Sequence, residues 1–189
     1  LAPEHPFPAQ LEDSHAVYRW LFEHEGIRPE HVVMGGESAG AGLTLSTLVS
    51  LRDEGIRLPA GGVVISGWFD LEPRSTSMQF NSQYDFVTRV GVRTMARRFA
   101  PRDEHRNPLV SPVHADLSGL PPLLIQVGAA ESLLDDSLRV AETARSAGID
   151  VTLEVWPDMI HAWHIFAPML EEGRRAISRI GDFVTDKTH

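Results

Sequence analysis

The chain has 189 residues, 42% hydrophobic and 23% charged, a balance that fits one globular domain with its own core. Its formal charge of −9 argues against a nucleic-acid partner, and the densest basic patch, Arg93, Arg97, Arg98 and Arg102, reads as a solvated helix face. There is no cysteine, which excludes disulfides, thiolate metal sites and a cysteine nucleophile, and no apolar run approaches the roughly 18 residues that span a bilayer. Along the chain, Pro3, Pro6 and Pro8 predict a stiff, extended entry. A helix is predicted over 10–25, with Leu11, Tyr18, Leu21 and Phe22 on one face and Gly26 ending it. A strand follows at 32–35, then a helix at 39–52 that stops at Gly55. Strands are predicted at 62–66 and 123–127, and a helix at 135–147 with acidic residues in its first turn and Gly148 past its end. The stretch 151–156 alternates apolar and polar residues, and a last helix covers 168–184.

Strand and helix therefore alternate four times, the pattern of a mostly parallel α/β sheet flanked by helices. One connection, from Leu71 to Pro121, is too long for a simple crossover. Its helical stretch at 90–99 suggests an excursion over residues 72–107, serving as a cap or lid-side wall.

The most informative stretch is Gly36-Glu37-Ser38-Ala39-Gly40. A G-x-S-x-G turn from strand into helix is a nucleophile elbow. Gly36 and Gly40 are expected there because the turn leaves no room for a Cβ on either side of Ser38. A serine hydroxyl needs a base, and the base needs an acid to orient it. Glu131 follows the strand at 123–127, and His161 follows the strand at 151–156. Both leave C-terminal strand ends, the side on which open α/β sheets bind ligands. The reading is Ser38 as nucleophile, His161 as base then acid, and Glu131 as the orienting acid, with the Ala39 N–H as an oxyanion donor. Asp135 and Asp136 are the rival acids, and His164 is the rival base. His161 and His164 could also form a metal pair, but no H-E-x-x-H pattern accompanies them, so neither metal nor cofactor is expected. Ser38 as a buried turn serine is the bland alternative.

These residues resemble the hormone-sensitive-lipase-like family of α/β-hydrolase esterases. The resemblance rests on Gly36 to Gly40, on Leu1-Ala2-Pro3-Glu4-His5-Pro6, on Asn107-Pro108-Leu109-Val110-Ser111-Pro112 and on Glu131-Ser132-Leu133-Leu134-Asp135-Asp136. It implies a serine carboxylesterase for short- to medium-chain acyl esters, working without metal or organic cofactor. Two departures stand out. Glu131 occupies the position where the family usually has Asp. The family's His-Gly-Gly-Gly oxyanion segment, found upstream of Leu-Ala-Pro-Glu-His-Pro, is absent, so the sequence resembles the C-terminal part of an esterase. A chain of these residues alone is then expected to be weak or inactive, since one lost oxyanion donor costs about 3–4 kcal/mol elsewhere. Non-catalytic readings are a fragment or a binding protein on the hydrolase fold; catalytic ones are an acyltransferase or peptidase with the same triad. The strand at 32–35 is expected to be an unpaired apolar edge, because the family pairs it with a strand from the missing part. The opposite edge, at 151–156, invites pairing with a second copy, a homodimer that a proline at Thr152 is expected to weaken. Localisation is left open, with the cytoplasm favoured and any targeting segment upstream of Leu1.

Overall fold

A computed structural model describes residues 1–189. Four strands, β1 (Val33–Glu37), β2 (Gly61–Ile65), β3 (Leu123–Gly128) and β4 (Val151–Trp156), form one parallel sheet in the order β1-β2-β3-β4. Helix α1 (Ala9–Glu23) precedes the sheet, and α2 (Ala39–Asp53) joins β1 to β2. The excursion holds α3 (Thr76–Phe80) and α4 (Arg89–Phe99), and α5 (Leu134–Ser146) joins β3 to β4. The chain closes with α6 (Glu171–Thr188).

Successive strand residues point to opposite faces, and that alternation sorts the helices. Leu123 and Ile125 pack with Leu45 and Leu48 of α2 and Val140 and Ala144 of α5 in the main core. Gln126 points the other way, donating to Ala176 O of α6 at 3.1 Å. So α2 and α5 cover one face and α6 the other. Every residue of β3 is buried, as a central parallel strand requires. β1 pairs only with β2, and a groove of ≈ 480 Å³ beside it is lined by Val17, Leu21, Val33, Met34 and Leu43.

The predicted helix stops hold. Gly26, Gly55 and Gly148 all have positive φ. Strand and helix ends shift by one to three residues at most positions. The last helix shifts furthest, starting at Glu171 and running to Thr188. A short 3₁₀ segment, Trp163–Phe166, takes up the chain before it, anchored by the fully buried Trp163. The entry is not extended. Residues 2–5 form turns, and Phe7 N donates to Phe99 O at 2.8 Å, with the Phe7 and Phe99 rings edge to face at 6.1 Å. Burial of Phe7 against α4 outweighs the stiffness of the prolines.

Sequence periodicity predicted α4 but not α3, which is too short to show a period. It forms because Ser75 caps it, accepting from Met78 N at 3.3 Å, and because Met78 is buried in a second, smaller core. That core joins Met78, Val92 and Ala96 of the excursion to Trp68, Leu71 and Leu133. The basic residues Arg93, Arg97, Arg98 and Arg102 are exposed.

Asp135 and Asp136 lie in the first turn of α5 as predicted, but they serve the segment after β2. Asp136 Oδ2 accepts from Phe69 N at 3.3 Å and Asp70 N at 3.1 Å. Burial, then the neighbouring Asp70, pushes the Asp136 carboxyl up from 3.8 to about 7. The folded state thus holds this proton more tightly than the unfolded chain. Stability from this group is present at low pH and falls as pH rises from about 4 to about 7. Asp136→Asn keeps an acceptor and removes the charge. Denaturant titrations should show the variant gaining on the wild type across that window, by roughly 1–4 kcal/mol at about 1.4 kcal/mol per unit. A difference that does not change with pH would refute the buried ionisation.

Candidate active site

The elbow is built from β1 and the start of α2. Ser38 sits between them with φ 55 and ψ −115, a conformation costly for a residue with a Cβ. Its backbone is fixed on both sides. Ser38 N donates to Ile65 O at 2.9 Å, and Ser38 O accepts from Ala41, Gly42 and Trp68 N–H groups at 3.0–3.2 Å. The side chain is left free, with no hydrogen bond to protein at Oγ. A Cβ on Gly36 would lie 2.2 Å from Gly40 O, so glycine is obligatory there. Gly40 is different. A Cβ there meets nothing within 4 Å, so the expected crowding on that side of Ser38 is absent. The Gly40 backbone lies against Gly36, while its Cβ position opens onto the groove beside β1. Ala39 is the first residue of α2, so its N–H has no acceptor within the helix.

Glu131 and His161 come together from the ends of β3 and β4. His161 Nδ1 is 2.9 Å from Glu131 Oε2, and both side chains are buried. The other carboxylate oxygen, Oε1, accepts a short hydrogen bond from Gly128 N and one of 3.1 Å from Ser66 Oγ. Burial pushes the Glu131 carboxyl up, against the lowering effect of its hydrogen bonds to His161, Gly128 and Ser66. Gly128 permits the approach of the two loops, since a Cβ there would lie 2.2 Å from Met159 O. Glu131 therefore folds back onto its own strand end, which accommodates the methylene it has beyond Asp.

The rivals are occupied elsewhere. Asp135 Oδ2 accepts from Ser77 N at 2.9 Å, and Asp136 holds Phe69 and Asp70. His164 Nε2 bonds Gln126 Oε1 at 2.8 Å in a buried network that continues from Gln126 Nε2 to Glu154 at 2.9 Å. Desolvation pushes His164 down to about 4, so it stays neutral inside the fold. No group of three potential metal-ligating side chains forms anywhere in the chain.

The fold and these strand ends can be set beside known proteins. Residues 1–165 match the family described as alpha/beta hydrolase fold. The chain belongs to that family. Its α/β-hydrolase relatives include an acetyl-hydrolase of Streptomyces hygroscopicus, 46% identical over 98% of this chain and 62% of the relative. An esterase of Acinetobacter venetianus is 34% identical over 98% of this chain and 61% of its own length. Among solved structures, an esterase described as from the bacterial hormone-sensitive lipase family superposes with TM-score 0.97 at 47% identity, covering 100% of this chain and 64% of that one. The resemblance to the hormone-sensitive-lipase-like esterases is therefore upheld. This α/β-hydrolase chain spans less than two thirds of the length of each of these relatives.

Part of this site was not anticipated, and it belongs to the excursion. Asp85, itself buried, accepts from Ser132 N at 2.7 Å and from His161 N at 3.4 Å. Asn81 Nδ2 donates to Glu131 O at 3.0 Å and Ala129 O at 3.3 Å. Phe86 meets the His161 ring edge to face at 5.4 Å. These side chains mostly bond backbone groups of distant loops, and no sequence pattern marks such contacts.

Proposed function

We propose that the protein is a serine carboxylesterase for short- to medium-chain acyl esters that works through an acyl-enzyme. The observation that carries this reading is the buried Glu131–His161 pair at 2.9 Å, at the same C-terminal end of the parallel strands as the strained Ser38. Glu131 holds the Nδ1 proton, which leaves Nε2 as the base. Nε2 takes the Ser38 proton as Oγ bonds to the ester carbonyl carbon. The Ala39 N–H faces the oxyanion that forms. His161 then returns the proton to the leaving alcohol, and the acyl group stays on Ser38. A water, deprotonated by His161, releases the carboxylic acid and restores the hydroxyl. The relatives named acetyl-hydrolase and esterase, and an esterase structure soaked with p-nitrophenyl butyrate, support short acyl groups. Residues 72–107 act as the lid-side wall, a role supported by the contacts of Asn81, Asp85 and Phe86. A fluorophosphonate should label Ser38 alone in the full-length protein. Labelling of another serine, or none, would sink the assignment.

No helix is long and apolar enough to cross a membrane. A homodimer through Val151–Trp156 remains part of the proposal, because β4 ends the sheet. The ladder changes its test. Leu123 N bonds Asp150 O and Ala129 N bonds Trp156 O, so the even-numbered residues of β4 face β3. Thr152 thus spends its N–H inside the sheet, and a proline there would damage the monomer. Val155, 42% exposed, turns its N–H outward. Val155→Pro should leave the fold intact and convert dimer to monomer in light scattering. A wild type that is already monomeric at micromolar concentration would exclude the interface.

A further inference from the structure

The chain has four non-glycine residues with positive φ: Ser38, Ser66, Asp158 and Ala162. Such residues persist only where the surroundings hold them, and they gather at functional sites. Ser38 is the elbow, and Asp158 and Ala162 bracket His161. Ser66 has no part in the chemistry above. It follows β2 with φ 48, is fully buried, and has an apolar strand behind it.

Its hydroxyl makes two bonds. Oγ lies 3.1 Å from Glu131 Oε1 and 3.1 Å from Ala162 N. The second contact decides the direction of the first. A backbone N–H only donates, so Oγ accepts from Ala162 and its single proton goes to the carboxylate. A polarised line results: Ala162 N–H to Ser66 Oγ, Ser66 O–H to Glu131 Oε1, and His161 Nδ1–H to Glu131 Oε2. One hydroxyl therefore ties the acid's carboxylate to the backbone next to the base. With Oε1 filled by Gly128 N–H and Ser66 O–H, only Oε2 is open to the imidazole.

We infer that Ser66 is a positioning residue for the Glu131–His161 pair, fixing the carboxylate's rotation so that Nδ1 keeps its proton and Nε2 remains a base. The strained backbone is the cost of aiming the hydroxyl at both loops. This inference rests on the esterase reading, and its test separates the two. Ser66→Ala and Ser66→Gly both remove the hydroxyl, but only glycine relieves the positive φ. The two variants should differ in melting temperature, with glycine higher, yet lose kcat on p-nitrophenyl butyrate equally, by about 10- to 100-fold at unchanged KM. The Ser66 hydrogen bond favours the ionised carboxylate, so its loss should move the acid limb of the pH profile to higher pH. Ser66→Cys, a weaker donor in the same geometry, should recover part of kcat. Kcat loss that follows melting temperature, an effect on KM alone, or activity within twofold of wild type would each overturn the inference. A wild type inert to esters and to fluorophosphonate would reject the esterase reading. Ser66 would then be judged by proton NMR of the His161 Nδ1–H. The downfield signal should be present in wild type and displaced in Ser66→Ala, and an unmoved signal would overturn the positioning role.

Discussion

Replacing Ser38 with alanine in the full-length protein is expected to lower kcat on p-nitrophenyl butyrate by more than about 10⁴-fold, to the level left by binding and oxyanion donors alone. The fold should survive, because Oγ makes no hydrogen bond to protein and the elbow is held by its backbone. Ser38→Gly sharpens the test. It should be equally inactive but more heat-stable, since a φ of 55 with ψ −115 costs a side-chain-bearing residue about 1–3 kcal/mol. Activity and stability would then move in opposite directions at one position. Hydrolysis surviving in either variant would remove Ser38 from the chemistry.

Much of this arrangement can be read from the sequence because the signals are local. Gly26, Gly55 and Gly148 stop helices through their own backbone freedom, whatever lies around them. Val151–Trp156 reads as a strand from its alternation, and its ends agree with the structure, where it stands last in the sheet. Glu131 and His161 are found by chain order and by their place after strands. Their pairing, rather than that of Asp135 or His164, then follows from where β3 and β4 end.

The parts that escape are set by contacts between loops far apart in sequence. Ser66 looks like an ordinary strand-end serine until the carboxylate is brought to it across 65 positions. Asp85 looks like a solvated acid in an excursion, yet it is buried and bonded to the backbone at both Ser132 and His161. Gln126 sits in a strand that reads as apolar because its amide is satisfied by His164, Glu154 and Ala176 on the α6 side. The steric reason offered for Gly40 fails for the same cause. The close approach in the first turn of α2 falls instead on Gly42, outside the pentapeptide, where a Cβ would lie 2.5 Å from Trp68 O.

Glu131→Gln is expected to be nearly as damaging as loss of the nucleophile, about 10⁴-fold in kcat, although it preserves the shape of the side chain. The hydrogen bonds force this result. Gly128 N–H and Ser66 O–H both donate to the Oε1 position, so the amide must place its oxygen there. Its NH₂ then faces His161 Nδ1, where the carboxylate oxygen lay at 2.9 Å. A donor opposite Nδ1 requires that nitrogen to accept, and the ring proton moves to Nε2. The lone pair that should take the Ser38 proton is gone. Folding should not suffer, because the variant removes a buried carboxyl whose ionisation burial already opposes. Glu131→Ala should lose activity to a similar degree. Asp135→Ala, which frees only the Ser77 N–H at the start of α3, should keep kcat within a few-fold while lowering the melting temperature. Steady-state kinetics on the three variants, with melting curves beside them, decide the matter. Greater loss of kcat in Asp135→Ala than in Glu131→Ala would transfer the acid to Asp135. Full activity in Glu131→Gln would show that the tautomer of His161 is not set by this carboxylate.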